Sequence, residues 1–111
     1  MIVKQRDLVL VSYPFSDVEL SKVRPAIVIS NDDFNRDCPD CLLVPLTSVL
    51  KNAYCTLEIH QEDLESGKLL KPSKVRAGKF FTMNQQSIMM NIGKVKQEFF
   101  TKLKKEVIKV F

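Results

Sequence analysis

Residues 23–30 read VRPAIVIS, and this stretch decides the fold. Five of its eight residues are aliphatic and several are β-branched, which favours an extended strand over a helix. The turn-forming run Asn31-Asp32-Asp33 follows directly. We therefore predict a buried strand over residues 23–30, with its sheet partners on either side of it in the sequence.

Five further segments carry strand signals. Residues 8–11, 41–47, 54–59, 73–83 and 88–92 are rich in aliphatic or β-branched side chains and are separated by polar loops. Pro45 has no N–H to donate, so it marks its strand as an edge strand or as bulged. Gly78 is expected to form a β-bulge. Residues 61–67 fit a single helical turn.

Only the C-terminal segment has helical periodicity. Phe99, Phe100, Leu103, Val107 and Val110 recur at intervals of three and four residues, and lysines occupy the other side. An open sheet would leave one face and two edges uncovered, so short strands followed by one late helix favour a small barrel. The predicted fold is mainly β: an SH3-like antiparallel barrel with a C-terminal amphipathic helix, as a single domain over residues 1–111.

Composition limits the classes of protein. The chain has 111 residues, 45% of them hydrophobic, and a net charge of +4, which fits one mildly basic domain and excludes a disordered chain. The charge-free residues 41–50 fall far short of the about 20 apolar residues that span a membrane, and no charge-free stretch of the chain is that long. The N-terminal segment has no secretory signal pattern. We expect a cytoplasmic protein whose three cysteines are free thiols.

Two groups of residues could contact a phosphate. Arg24 stands at the start of an apolar strand beside Pro25, and its guanidinium offers five donors in a planar fork that suits phosphate. Thr47 and Ser48 follow directly on a buried strand, where hydroxyls bind a phosphate oxygen or a 2′-hydroxyl. The alternatives are an ordinary surface charge at Arg24 and a turn in which the two hydroxyls bond their own backbone.

A third group is basic. Five cations lie within residues 68–79, namely Lys68, Lys71, Lys74, Arg76 and Lys79. Strand alternation puts Lys74 and Arg76 on the same side. Single-stranded nucleic acid binds to such charges together with aromatic side chains, here Tyr13, Phe15, Phe80 and Phe81. The alternative is a solvated basic edge with phenylalanines in the core.

A zinc site is a competing interpretation. Cys38, Cys41, Cys55 and His60 have the count and spacing of a zinc finger. However, Cys55 and His60 lie five residues apart on a predicted strand, so their side chains leave opposite faces. Cys38 and Cys41 also resemble a redox pair, but that chemistry uses a helix N-terminus and here a strand follows. No metal ligand is therefore assigned, and His60 is expected to be a surface residue.

Taken in order, the motifs resemble one family. The segments are Asp7-Leu8-Val9-Leu10-Val11, Pro14-Phe15-Ser16-Asp17, Arg24-Pro25-Ala26-Ile27-Val28-Ile29-Ser30, Pro45-Leu46-Thr47-Ser48, Lys71-Pro72-Ser73-Lys74-Val75-Arg76, Lys79-Phe80-Phe81-Thr82 and Ile92-Gly93. Their order and spacing, over nearly the whole chain, resemble the MazF/PemK toxins of bacterial toxin–antitoxin systems. The resemblance implies an SH3-like barrel, a homodimer, and a metal-independent endoribonuclease that cuts single-stranded RNA and needs no cofactor.

The resemblance also assigns roles by position. Arg24 matches the catalytic arginine and Thr47 the catalytic threonine, with Ser48 beside it. Arg76 matches a second functional arginine, which is expected to assist catalysis either by binding or as a proton donor. Two positions depart from the pattern: Arg6 stands where a glycine is usual, and Gly78 replaces an acidic residue found in some relatives. The general acid and base therefore stay open, with Asp17 as an acidic candidate.

RNA binding is assigned to two segments. One is the loop residues Phe15, Ser16, Asp17 and Lys22, and the other contains Ser73, Lys74 and Lys79. The expected partners are single-stranded RNA, an acidic disordered antitoxin peptide, a second copy of the chain and, only through the antitoxin, operator DNA; no membrane is expected. The alternatives are a non-enzymatic inhibitor resembling the CcdB toxins, which bind DNA gyrase, and a catalytically degenerate member of the same family.

Overall fold

The computed structural model describes residues 2–12, 23–49 and 54–111. In these ranges the chain forms eight strands, β1 (Asp7–Ser12), β2 (Val23–Val28), β3 (Asp40–Thr47), β4 (Thr56–Ile59), β5 (Leu64–Gly67), β6 (Ser73–Arg76), β7 (Phe81–Asn84) and β8 (Ile88–Val95). Two α-helices are α1 (Asp32–Asp37) and α2 (Gln97–Ile108). Short 3-10 helices cover Gln61–Asp63, Ala77–Lys79 and Gln85–Ser87.

Every strand pairing in the described residues is antiparallel. The strand order is β4–β6–β3–β2–β1–β8–β5, and β7 also pairs with β3. The sheet curves around one core, and α2 follows the last strand. The prediction of a mainly β, SH3-like barrel with a C-terminal helix is confirmed.

The main core lies inside this curved sheet. Residues from β1, β2, β3, β4, β6 and β8 contribute to it, among them Leu8, Ile27, Val44, Val75 and Val95, none of which is exposed. Helix α2 packs on the core through Phe99, Phe100, Leu103 and Val107, as its periodicity predicts. Burial of each such side chain contributes about 1.5–3 kcal/mol. Val110, predicted to share this face, lies beyond the helix and is exposed.

A second apolar cluster covers the other face of β1, β2 and β3. It consists of Val3, Val9, Val11, Ala26, Val28, Cys41, Leu43, Phe81 and Ile88. The central strands are therefore buried on both faces. This explains why residues 23–30 read as a nearly continuous apolar run rather than as an alternating pattern.

The edge-strand prediction for Pro45 is wrong. Strand β3 pairs with β2 on one side and with both β7 and β6 on the other. Its pairing with β7 ends at Leu43, and its pairing with β6 begins at Leu46. Pro45 lies at this change of partner, where a residue without an N–H interrupts no ladder on that side.

The single strand predicted over residues 73–83 is two strands. Strand β6 ends at Arg76, a 3-10 turn covers Ala77–Lys79, and β7 begins at Phe81. Gly78 therefore belongs to a turn and not to a bulge. Ala77 donates its N–H to the carbonyl of Cys55 at 2.9 Å and is fully buried, which fixes the turn against the core. The apolar residue types alone did not reveal this break.

Two further elements differ from the predictions. Residues 61–67 form a 3-10 turn followed by β5, not one helical turn. The run after residue 30 is helix α1: the Asn31 side chain accepts the N–H of Phe34 at 2.8 Å, and Asp32 and Asp33 occupy the first turn. Asparagine followed by acidic residues is a helix-start signal, so this helix was predictable.

Arg6 stands where the resemblance implies a glycine, and its backbone adopts a conformation that suits glycine. Its φ of 80° lies in the left-handed region that favours glycine. The backbone is held there on both sides, because the Arg6 N–H bonds the carbonyl of Val28 and the Arg6 carbonyl accepts the N–H of Val95, both at 2.9 Å. The side chain adds a bond from Nη1 to the Val95 carbonyl at 2.9 Å and an ion pair with Glu65 at 3.2 Å.

Candidate active site

Arg24 is held by the sheet. It is the second residue of β2, is half-buried, and lies opposite Val11 of β1. Pro25 restricts the backbone next to it. The backbone that carries its guanidinium is therefore fixed, at the end of a strand whose last three residues are buried.

Thr47 ends β3, and its hydroxyl supports the turn that follows. The Oγ1 atom accepts the N–H of Val49 at 3.1 Å. The alternative prediction, a turn in which a hydroxyl bonds the nearby backbone, is therefore confirmed for Thr47. In this bond the hydroxyl is the acceptor, and its hydrogen can still donate to a phosphate oxygen. Ser48 follows in the same turn and is exposed.

The sheet brings Arg24 and Thr47 together. Ala26 of β2 pairs with Pro45 of β3, so the residues that precede Ala26 and those that follow Pro45 lie at the same end of the two antiparallel strands. Neighbouring strands lie about 4.8 Å apart. Both residues line one cavity of about 150 Å³, together with Ser48 and Ser73. Four residues predicted from distant parts of the sequence thus surround one space.

The predicted residues on and after β6 differ in whether they line the cavity. Ser73 lines the cavity and donates its Oγ hydrogen to the carbonyl of Lys71 at 3.0 Å. Lys74 lies directly opposite Thr47 and is only 7% exposed. Arg76 pairs with Thr56 of β4, two residues further along, and does not line the cavity. Lys79 is exposed at the end of the following turn and does not line it either.

Four predicted RNA-binding residues lie outside the described residues. These are Phe15, Ser16, Asp17 and Lys22. Among the described residues that line the cavity, none is a carboxylate or a histidine. The site as described supplies a guanidinium, hydroxyls and lysines, which suit an anionic ligand.

The cavity has parts that the sequence-based prediction did not assign. Lys68 and Lys71 line it and add positive charge. Leu10, Leu69, Leu70 and Ile92 form apolar walls. The two lysines belong to the basic group singled out in the sequence, but nothing in the sequence showed which of its members would face Arg24.

The zinc-finger spacing does not correspond to a site. Cys55 lies in the main core, whereas Cys41 lies in the second cluster on the other face of the central strands. Burial raises the pKa of the Cys41 thiol to about 11, which opposes the thiolate form that binds metals. His60 is exposed after β4 and its Nε2 lies 3.7 Å from Glu58 Oε1. In the described part of the chain, no three such residues cluster as metal ligands would.

The described residues contain no helix that is both long and apolar enough to cross a bilayer.

Comparison with solved structures shows the same fold elsewhere. An endoribonuclease from a mycobacterial species superposes with a TM-score of 0.77 at 16% identity, over 98% of this chain and 90% of that chain. MazF from Deinococcus radiodurans gives a TM-score of 0.78 at 16% identity, over 99% of this chain and 96% of that chain. A mycobacterial endoribonuclease in complex with its cognate antitoxin gives 0.78 at 15% identity, over 96% and 92%.

Sequence comparison identifies the family. No curated protein sequence gives a significant match. The family model of the PemK-like, MazF-like toxins of type II toxin–antitoxin systems matches residues 4–111. Because that match covers nearly the whole chain, the chain belongs to the PemK-like, MazF-like toxins of type II toxin–antitoxin systems.

Proposed function

We propose that this toxin is a metal-independent, sequence-selective endoribonuclease that cuts single-stranded RNA. The observation that carries the proposal is the shared cavity of Arg24, Thr47, Ser48 and Ser73. A guanidinium and hydroxyl groups around one space match the needs of phosphoryl transfer, in which charge gathers on the phosphate oxygens. The names of the structural neighbours, endoribonucleases among them, point the same way.

The reaction needs no group other than the RNA itself as nucleophile. The ribose 2′-oxygen attacks the adjacent phosphorus and loses its proton, while the bond from phosphorus to the 5′-oxygen breaks and that oxygen gains a proton. The products are a 2′,3′-cyclic phosphate and a free 5′-hydroxyl. Arg24 stabilises the negative charge of the pentavalent intermediate, and Thr47 and Ser48 position the phosphate.

The remaining residues bind substrate. Ser73 lies in the cavity, and Lys74 lies one strand away from Thr47. Arg76 does not line the cavity, so its place in the mechanism is binding of the flanking RNA rather than proton donation. Lys79 and the loop residues Phe15, Ser16, Asp17 and Lys22 extend the binding surface.

The regulatory partner is a cognate antitoxin. Relatives are solved as complexes of MazE with MazF, and this chain has a net charge of +4. An acidic, disordered antitoxin segment that folds on this basic surface would exclude RNA mechanically. The toxin is further proposed to act as a homodimer and to contact operator DNA only through the antitoxin.

Cleavage of a long single-stranded RNA in EDTA tests the proposal. The native toxin should produce discrete fragments ending in a cyclic phosphate, and Arg24→Ala should cleave about 10²–10³ times more slowly, as for loss of one oxyanion donor. Arg24→Lys keeps the charge but loses the planar fork, so its rate should lie between the two. Arg36→Ala is the matched control, because Arg36 lies on α1, is exposed and is not part of the cavity.

The outcomes separate the competing functions. Intact RNA together with growth arrest on expression would contradict the nuclease and favour a non-enzymatic inhibitor of the gyrase-binding kind. Intact RNA without growth arrest would indicate a degenerate toxin. Circular dichroism of Arg24→Ala must match that of the native chain for its loss of activity to count as chemical.

A further inference from the structure

A second cleft opens beside the cavity, between β4 and α2. Its volume is about 520 Å³, which is typical of small-ligand sites. Its lining includes Glu58, His60, Lys74 and Lys102, with Leu57 and Phe99 as the apolar part. Neither the sequence motifs nor the proposed chemistry assigns a role to this cleft.

The strand register connects the cleft with the cavity. Thr47 of β3 lies opposite Lys74 of β6, and Lys74 lies opposite Glu58 of β4. Residues directly opposite one another project from the same face, so these three form one row across three strands. Two strand spacings separate Glu58 from Thr47, about 10 Å. An RNA whose phosphate occupies the cavity can therefore place a neighbouring nucleotide in the cleft.

Lys74 stands between the two spaces. It lines the cleft, and Thr47, which lies directly opposite it and projects from the same face, lines the cavity. Only 7% of Lys74 is exposed, which is unusual for a lysine. Its position in the row makes it a fixed positive charge next to the path of the RNA backbone.

The carboxylates of the cleft are not equivalent. Asp63 accepts the backbone N–H of His60 through Oδ2 at 2.8 Å and so holds the turn after β4. The Glu58 side chain is 67% exposed, and its Oε1 atom lies 3.7 Å from His60 Nε2, longer than a hydrogen bond. Glu58 is thus the carboxylate that can receive donors from a ligand.

Carboxylate and ammonium groups on opposite walls suit one base better than the others. Guanine presents two adjacent N–H donors, at N1 and N2, to a bidentate carboxylate, and acceptors at O6 and N7 to a lysine. Glu58 comes from the strand and Lys102 from the helix, so a base between them meets both. The exposed ring of His60 offers a surface for stacking, as single-stranded bases require.

We propose that the cleft between β4 and α2 is a base-recognition subsite, in which Glu58 selects a guanine adjacent to the scissile phosphate. This rests on the proposed binding of RNA in the cavity. Lys102 contributes on the helix side, and Lys74 holds the intervening backbone.

The test uses binding instead of cleavage. A randomised pool of 2′-O-methyl RNA, which has no free 2′-hydroxyl to attack, is selected on the native toxin, on Glu58→Gln and on Glu62→Gln. The native toxin should enrich guanine at one fixed position. Glu58→Gln should reduce this enrichment about tenfold and keep the preferences at other positions, as expected for loss of one bidentate base contact. Glu62→Gln should match the native toxin, because Glu62 does not line the cleft.

Three results would overturn the subsite. They are guanine enrichment that persists in Glu58→Gln, enrichment of another base at the affected position, and an equal loss of affinity for all sequences. The two proposals remain separable. A toxin that selects guanine through Glu58 but leaves cleavable RNA intact would refute the nuclease and keep the subsite, whereas cleavage without Glu58-dependent selection would do the reverse.

Discussion

At the scale of single residues, Arg6 shows how a strained position is stabilised by its bonds. A residue other than glycine in the left-handed region costs about 1–2 kcal/mol. Arg6 adopts a φ of 80° there, and its side chain bonds the carbonyl of Val95 at 2.9 Å. The strained residue thus gains a contact between the chain before β1 and the end of β8.

At position 6 an alanine variant should be less stable than a glycine variant, the reverse of the usual order. Both variants lose the side-chain bond to Val95, but only Arg6→Ala keeps the strain of the positive φ, so we expect it to be less stable than Arg6→Gly by about 1 kcal/mol. Urea unfolding of both variants measures the difference. If Arg6→Ala proved the more stable of the two, the positive φ would carry no strain.

Single residues were also the most predictable part of the site. Arg24, Thr47, Ser48 and Ser73 were all named from the sequence, and all line one cavity. Their types reveal their chemistry, and their positions at strand ends indicate exposure. Arg76 was assigned to the site by the family resemblance and put on the same side as Lys74 by alternation, but alternation fixes only the face of a strand and not the position along it. Glu58 could not be predicted as a binding residue from the sequence, because an isolated glutamate on a short strand is usually a solvated surface residue.

At the scale of elements, glycines mark where strands come close. Gly93 of β8 lies against β5, and a Cβ atom there would meet the Ser66 carbonyl oxygen at 2.5 Å. A Cβ at Gly78 would meet the Cβ of Cys55 at 3.5 Å, an ordinary contact. A side chain at Gly93 would therefore collide with the backbone of β5, whereas a methyl group at Gly78 would fit.

We expect Gly93→Ala to destabilise the fold by about 1–3 kcal/mol, because backbone must move to admit the methyl group. Gly78→Ala is its matched control and should be neutral or slightly stabilising, since alanine restricts the unfolded chain. Thermal or urea unfolding of both variants provides the comparison. Equal destabilisation by the two substitutions would contradict the assigned close approach of β5 and β8.

Elements were predicted well where a long pattern specified them. The six predicted strand segments all contain strand, and α2 lies where its periodicity put it. The errors fall where tertiary contacts decide: Pro45 lies at a change of partner within β3, and the turn at Ala77 is fixed by its bond to Cys55. Neither feature leaves a pattern in the local sequence.

At the scale of the whole molecule, the fold concentrates positive charge at one end of the sheet. The net charge is only +4, yet Arg24, Lys68 and Lys71 line a single cavity. The chain segments that carry them are far apart in the sequence, and the register of β2 with β3 and of β3 with β6 brings those segments together. Local concentration of charge, more than its total, should therefore govern association with RNA.

Salt dependence measures this concentration. For single strands the slope of log affinity against log salt is about −0.7 for each phosphate neutralised. Lys71→Met removes a cation from the cavity and should make the slope shallower by about 0.7, with weaker binding at low salt. Lys104→Met removes the same charge from α2, away from the cavity, and should leave the slope nearly unchanged. Fluorescence anisotropy with a 2′-O-methyl oligonucleotide over a salt series gives both slopes. If the two variants changed the slope equally, the net charge of the molecule rather than the cavity would attract the RNA.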